Sequence, residues 1–511
     1  MSVTVSDRAR WREWCALGVL LLPVLTVSIS TTALGFAVPA LSAALRPTGE
    51  ELLWIVDVYP LALAGLLLTS GVLGDRIGRR KVLAIGAVGV TAATIYAAFS
   101  DSALELIFAR ALVGVFGATL LPSTLSLMRN IFHDEGQRRL AIAIWSASFA
   151  GGGALGPIVG GWLLGHFWWG AIFLLPVPLN ALMLATMFFL VPESRNEDSE
   201  SIDALSVFLS IGAMVPTAYG LKHAAATGLD AFSILPLVFG IACGFFFTRR
   251  QLGMEHPLLD VRLFKNRVLT TAAIGNFSSV FVFAGVQFYV SQHIQLIQGL
   301  DPVTAGWWLL PGAAASVAVG VLIVYLTRTF PRWLLIGAGT LLMAAGAGLS
   351  VFLDVNTGIW LPVLMYVALG VGASAAQALN TDALISAAPP ERAGAASGLS
   401  ETAFELGTSL GVAVLGSVLT TFYGRALSLP EGLSASDYHA VVSTLGAAEE
   451  VAAKLSPEAG HLLHTAAQQA FIHAERVTGF TACLGLAAAG ILIARSLRKG
   501  GLGRVSSPSN S

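Results

Sequence analysis

The chain has 511 residues, 55% hydrophobic and only 12% charged, with a formal net charge of -1 and a mean hydropathy of +0.76. A soluble domain carries about 25% charged residues, so a water-soluble catalytic domain is excluded, and the near-neutral balance points to neither a nucleic-acid nor an acidic partner. Its cysteines, Cys15, Cys243 and Cys483, lie in or beside apolar runs, which makes them packing groups and not a disulfide framework.

A hydrocarbon layer about 30 Å thick asks for about 20 apolar residues per helical crossing, and it tolerates no unpaired backbone, so each crossing must be helical. Fourteen segments satisfy this, beginning near Trp14, Leu52, Val82, Leu104, Leu140, Trp168, Ala204, Ala231, Leu269, Thr304, Arg332, Ile359, Ala395 and Thr478. The first follows Arg8, Arg10 and Arg12. It is too long for the core of a cleaved leader, about 7–15 residues, and reads as a retained helix.

The second run holds Trp54, Asp57 and Tyr59 and ends in GVLGDRIGRRKVL, where Gly71, Gly74, Asp75, Arg76, Gly78, Arg79, Arg80 and Lys81 crowd between two apolar stretches. Four cations and a carboxylate cannot lie in hydrocarbon, so this is an aqueous turn between two membrane helices. The fourth run carries Arg110 well inside. A guanidinium there either serves a function or snorkels outward beside Glu105. In the fifth, Gly152, Gly156 and Gly160 recur every four residues on one face, with Pro157 and Gly161 beside them. Small residues at that spacing let helices touch at backbone distance, and the proline favours a bend.

Polar segments on either side of the seventh and eighth runs read as linkers. The ninth offers Asn276, Gln287, Gln292 and His293, and the twelfth Gln377, Asn380 and Asp382. On the thirteenth, Glu401 and Glu405 are four apart and share a face, with Phe404 between them. A buried carboxylate trades its charge for a proton and, once ionised, can hold a lipophilic cation. The segment from about Tyr423 to Arg476 is expected to form a short helical hairpin. Its His461, His464 and His473 lack the further ligands of a metal set and read as a solvated face.

Sorting cations over these helices leaves Arg46, Lys222, Arg425, Lys454 and Arg476 on one side, Arg110 inside, and the other 23 of the 29 Lys+Arg on the opposite side. Both termini are then cytoplasmic. The loop after the tenth run, GVLIVYLTRTFPRW, with Gly320, Arg328 and Arg332, reads as a worn copy of the loop after the second. That repeat divides the chain into a tail (1–13), a six-helix bundle (14–193), a linker with two inserted helices (194–268), a second six-helix bundle (269–497) and a final tail (498–511).

The G-x-x-x-D-R-x-G-R-R/K spacing at Gly71–Arg80 resembles the signature loop of the major facilitator superfamily, which joins helices two and three on the cytoplasmic side. GxxxGPxxGG at Gly152–Gly161 resembles the antiporter motif of its exporting branches. Arg110 with Gly114 fits an R-x-x-x-G pattern linked there to proton transfer. Trp54 and Tyr59 match a second-helix pattern, and LDVRLFKNR precedes the ninth run. The chain thus resembles the fourteen-helix drug:proton antiporters, the quaternary-ammonium and multidrug efflux pumps. It departs from them at Ser30, counted back from Pro39, where an aspartate is usual.

The resemblance implies an all-α membrane fold of two six-helix bundles plus two inserted helices, alternating access, and a gating role for Gly71–Arg80 in which Asp75 pairs cations or a helix end. Proton coupling falls to Asp57, Arg110, Glu401 and Glu405, and cargo contact to Trp54, Tyr59, Ser30, Gln287 and Phe404. The expected cargo is a lipophilic drug, monovalent and cationic or else neutral, moved by a monomer in the bacterial cytoplasmic membrane. A dedicated exporter of one biosynthetic product is the alternative. With no phosphate-binding Gly-Lys loop, no HExxH and no Cys/His set, no enzyme activity, cofactor, metal or nucleotide drive is expected.

Overall fold

The computed structural model describes residues 10–499 apart from 133, 196–202, 229, 255, 256, 258, 260, 388–392 and 429–433. Among these, the regular structure is helical throughout. The first group comprises α1 (Trp11–Leu45), α2 (Gly49–Ile77), α3 (Arg79–Ala98), α4 (Ala103–Gly117), α5 (Leu120–Ile131), α6 (Glu135–His166), α7 (Ala171–Leu174) and α8 (Pro176–Leu190). Next come α9 (Ala204–Thr227) and α10 (Ala231–Gly253), packed on each other. The second group comprises α11 (Arg267–Gln292), α12 (Pro302–Thr329), α13 (Arg332–Gly348), α14 (Trp360–Ser386), α15 (Ala393–Ala426), α16 (Ala435–Ser443), α17 (Leu445–Ala452) and α18 (Pro457–Lys499).

Twelve described helical stretches are long and apolar enough to cross a membrane. Beside them stand α2, with 29 residues, and α6, with 32. This layout accords with fourteen crossings. Two expected single runs are jointed: α4 passes to α5 at Ala118–Thr119, and α7 to α8 at Leu175–Pro176. By contrast, α6 stays continuous helix through Pro157.

Local signals set the helix ends. Thr48 caps α2, its hydroxyl accepting from the Glu51 amide while the Glu51 carboxylate accepts from the Thr48 amide. At the far end, only Gly78 separates α2 from α3, with φ 112°. A Cβ there would lie 2.8 Å from the Glu193 carboxyl carbon. Gly78→Ala should therefore cost about 1–3 kcal/mol through a left-handed, crowded backbone. Thermal denaturation in detergent measures it, and an unchanged midpoint would refute the strain.

One apolar core gathers Leu20, Val24, Leu63, Leu83, Val113 and Met183 from the first group. Another gathers Val286, Tyr289, Met343, Leu369, Leu415 and Ile472 from the second. The groups meet at the end of the seam that holds Gly35, Gly165 and Gly416. Ser291 Oγ donates to the Gly35 carbonyl at 3.0 Å, a Cβ on Gly165 would lie 2.8 Å from Val303 Cγ2, and Leu53 packs against Gly416. The segment after α15 folds outside this seam as α16, α17 and the start of α18. It is tied to the end of α1 where Arg46 pairs with Glu450 at 2.5 Å. Hydrogen bonds from Arg46 and from Lys454 hold the Glu450 carboxyl down at about 2.

Helix α9 lies along both α2 and α15. Ser210 Oγ donates to the Gly65 carbonyl at 3.3 Å, and Tyr219 stacks on Trp54 with ring centroids 6.3 Å apart.

Candidate functional site

The buried cation of α4 is the natural starting point. Pro60 sits inside α2 and has no N–H, so the Val56 carbonyl loses its partner one turn on. Arg110 supplies the missing donor: Nη2 donates to the Val56 carbonyl at 3.2 Å and Nε to the Ile55 carbonyl at 3.0 Å. Its guanidinium also lies 4.8 Å from the centroid of the Tyr59 ring. Close approach of α4 to α2 makes this geometry possible, for a Cβ on Gly114 would stand 2.7 Å from the Tyr59 carbonyl. Arg110 is only 4% exposed, so it does not snorkel, and Glu105 is instead engaged by the Asp101 amide. Asp57, 1% exposed, lies within electrostatic reach of Arg110.

Beside this cluster is a cavity of about 30 Å³ lined by Thr26, Ser30, Tyr59, Thr94 and Arg110 among others. That is room for one or two waters. The Ser30 hydroxyl is buried there without a hydrogen-bond partner. Ser30 and Tyr59 are thus brought together with Arg110 inside the first group of helices.

Glu405 of α15 approaches this cluster from the other group. Gly416 and Thr420 touch Leu53 and Gly49 of α2. Glu405 precedes Gly416 by 11 residues, three turns, so it lies on the same stripe toward α2, with Glu401 one turn further in. Continuing the antiparallel pairing puts Glu405 about 10 Å inward of Asp57 along α2. Glu405 is buried and within electrostatic reach of both Glu401 and the Tyr59 hydroxyl. Near the same depth the Phe404 and Phe149 rings meet edge to face, centroids 6.4 Å apart, with Trp145 stacked behind Phe149.

Other expected cargo residues are placed differently. Trp54 turns to Tyr219 of α9, and Gln287 is half-buried on α11. Asn276 donates to Ser400 Oγ at 3.0 Å, joining α11 to α15. Asp382 pairs with Arg332 at 3.0 Å, joining α14 to the start of α13.

The glycines of α6 face two ways. A Cβ on Gly152 would lie 3.0 Å from Ser28 Cβ, one on Gly156 would overlap Thr32 Oγ1, and one on Gly160 would lie 3.1 Å from Ala33 Cβ, all on α1. Gly161 instead abuts Pro302 at the start of α12. The side chain of Pro157 lies outside the described residues.

Around Gly78, the Arg79 amide donates to the Ser194 carbonyl and the Arg80 amide to Glu193 Oε1, both at 2.9 Å. Arg80 Nη1 donates to the Val191 carbonyl at 2.9 Å. Gly74 is buried and Arg76 exposed. Gly71 and the Asp75 side chain lie outside the described residues. Glu193 was missed by sequence reasoning because it reads as the start of a polar linker. Its signal is that it is the first carboxylate after the sixth run, on the cation-rich side.

The Major Facilitator Superfamily pattern matches residues 20–412. The chain belongs to that superfamily. This facilitator is 42% identical to the multidrug efflux pump LfrA of Mycolicibacterium smegmatis, over 97% of this chain and 98% of that one. It is 33% identical to the methyl viologen resistance protein SmvA of Salmonella typhimurium, over 91% and 94%. It is 31% identical to the tetracenomycin C resistance and export protein of Streptomyces glaucescens, over 97% and 92%. Among solved structures, a bacterial homologue of the lysosomal transporter Spinster, inward-facing, superposes with a TM-score of 0.66 at 16% identity, covering 98% of this facilitator and all of that chain. A peptide transporter bound to sulfate gives 0.60 at 16% identity, over 96% of each. At such identities these structures speak for the facilitator fold alone.

Proposed function

We propose that this facilitator exports lipophilic drugs, cationic or neutral, across the bacterial cytoplasmic membrane in exchange for protons, by alternating access of its two helical groups. Fourteen crossings with both termini cytoplasmic, and bundles spanning 14–193 and 269–497 with α9 and α10 between them, complete the reading. One observation carries it: Glu405, beside Glu401, is buried within electrostatic reach of Tyr59, whose ring also lies against Arg110. Carboxylates there can hold either a proton or a cationic cargo, but not both at once, and that exclusion is the basis of exchange. The Phe149–Phe404 contact adds an aromatic wall suited to flat cations. The Gly71–Arg80 turn would serve the cycle by keeping α2, α3 and the end of α8 together. The full-length match to LfrA supports the multidrug reading, and the match to the tetracenomycin C exporter favours the alternative of a single-product pump.

The test is reconstitution into liposomes with an imposed pH gradient, following ethidium and methyl viologen. Glu405→Gln should bring ethidium–proton exchange to background while leaving the midpoint of thermal unfolding within a few degrees. Exchange at the wild-type rate in that variant rejects Glu405 as a coupling group. Transport confined to one compound across a chemically varied screen replaces multidrug export with the single-product reading.

A further inference from the structure

A second buried ionisable pair lies apart from that path, at the outer end of the second group. His293 Nδ1 and Glu475 Oε2 are 2.7 Å apart, with side chains 1% and 0% exposed. The other carboxylate oxygen, Oε1, has no hydrogen-bond partner. His293 opens a π turn, His293–Ile297, directly after α11. Such wide turns interrupt regular helix bonding and gather at functional positions.

This turn lies within the stretch that seals the outer seam. Ser291, just before it, bonds to Gly35; Pro302 and Val303, just after it, pack on Gly161 and Gly165. Glu475 therefore tethers the sealing stretch to α18. The titratable and charged groups around the pair are Tyr289 of α11, hydrogen-bonded to Ser350, and Arg476 of α18, which donates to the Leu353 carbonyl at 2.7 Å and lies 3.8 Å from Asp354. Further out, His464 is paired with Glu449.

Sealed from water, two such groups are tolerated as a net-neutral unit holding one proton, whichever atom bears it. Opened to alkaline water, a carboxylate and a neutral imidazole hold no proton between them, so closing the pair there must take one up.

We propose that His293 and Glu475 form a proton-operated catch on the outer gate, loaded from the outer solution as the groups close there and discharged to the same side as they part. Acid outside favours the closed gate, and alkali the open one. The direction of cargo movement rests on the exporter reading, but the test reads the gate and not the flux.

Spin labels at Asp101→Cys and Asn356→Cys, on exposed outer turns of the two groups, report opening by double electron–electron resonance in nanodiscs, with Cys15, Cys243 and Cys483 replaced. The open-to-closed ratio should climb with pH on the alkaline side. His293→Gln with Glu475→Gln should remove up to about tenfold per pH unit from that climb, the limit for one linked proton. Glu475→Gln alone keeps a neutral hydrogen bond and should lose the same component if the double variant is unstable. Slopes equal to wild type in these variants overturn the proposal. A slope difference without any drug flux in the parent protein would leave the catch standing and reject the exporter reading.

Discussion

Arg110→Ala is expected to abolish proton-driven efflux and to destabilise the first helical group. Alanine leaves the Val56 carbonyl, whose helical partner would be Pro60, without any donor and strips a second donor from the Ile55 carbonyl, and a buried acceptor left without its donor costs about 1–3 kcal/mol. Removing the guanidinium also takes away the cation beside Asp57 and leaves that buried carboxylate without its compensating charge. Arg110→Lys separates these effects, because an ammonium retains the charge but cannot span two carbonyls as the guanidinium fork does. The lysine variant should fold and bind ethidium, yet exchange it many-fold more slowly. Equilibrium binding beside gradient-driven uptake measures both, and a lysine variant exchanging at the parental rate would show that the fork plays no part.

The second large effect concerns α6, where neighbouring glycines should fail in different ways. At Gly161 an added side chain meets the backbone of Pro302, with its carbonyl carbon 2.8 Å away and Val303 Cα at 3.0 Å. Neither can swing aside, and both belong to the opposite helical group. Gly161→Val should therefore keep the thermal midpoint of the parent, since neither apolar core is touched, but hold the outer seam apart and end transport. At Gly156 the obstruction is Thr32, with the Ile29 carbonyl at 3.1 Å, both within the same group. Gly156→Val should overpack the α1–α6 contact, costing about 1–3 kcal/mol and lowering the midpoint. Thermal unfolding and the outer spin-label distances of the two variants test the contrast. A destabilised, normally closing Gly161 variant would place the seam elsewhere.

The parts of this molecule legible in its sequence are those governed by the bilayer. Hydrocarbon thickness sets the apolar runs, and the cation-rich turn at Arg76–Lys81 had to lie in water. The four-residue spacing of Gly152, Gly156 and Gly160 announced a contact face, which proves to be α1. Partners far apart in the chain were not legible. His293 was visible as a titratable group, but Glu475 stands 182 residues away in what read as an outer hairpin. The acceptors of Arg110 are backbone carbonyls, which carry no residue identity; the only written trace is Pro60, whose missing N–H frees one of them. Trp54 matched a second-helix pattern of the resembling pumps, but its stacking partner, Tyr219 of an inserted helix, lies too far along the chain to be read beside it.

That inserted helix makes the protein lopsided. With α9 laid along both α2 and α15, one flank of the interior is stoppered by a helix whose own partner, α10, presents Phe239, Phe245 and Phe246 outward to the acyl chains. Among the described residues no such plug covers the opposite flank, where α6 meets α12. The two flanks between the helical groups are thus closed by different means, one overlaid by a third helix and the other shut by direct packing of α6 on α12.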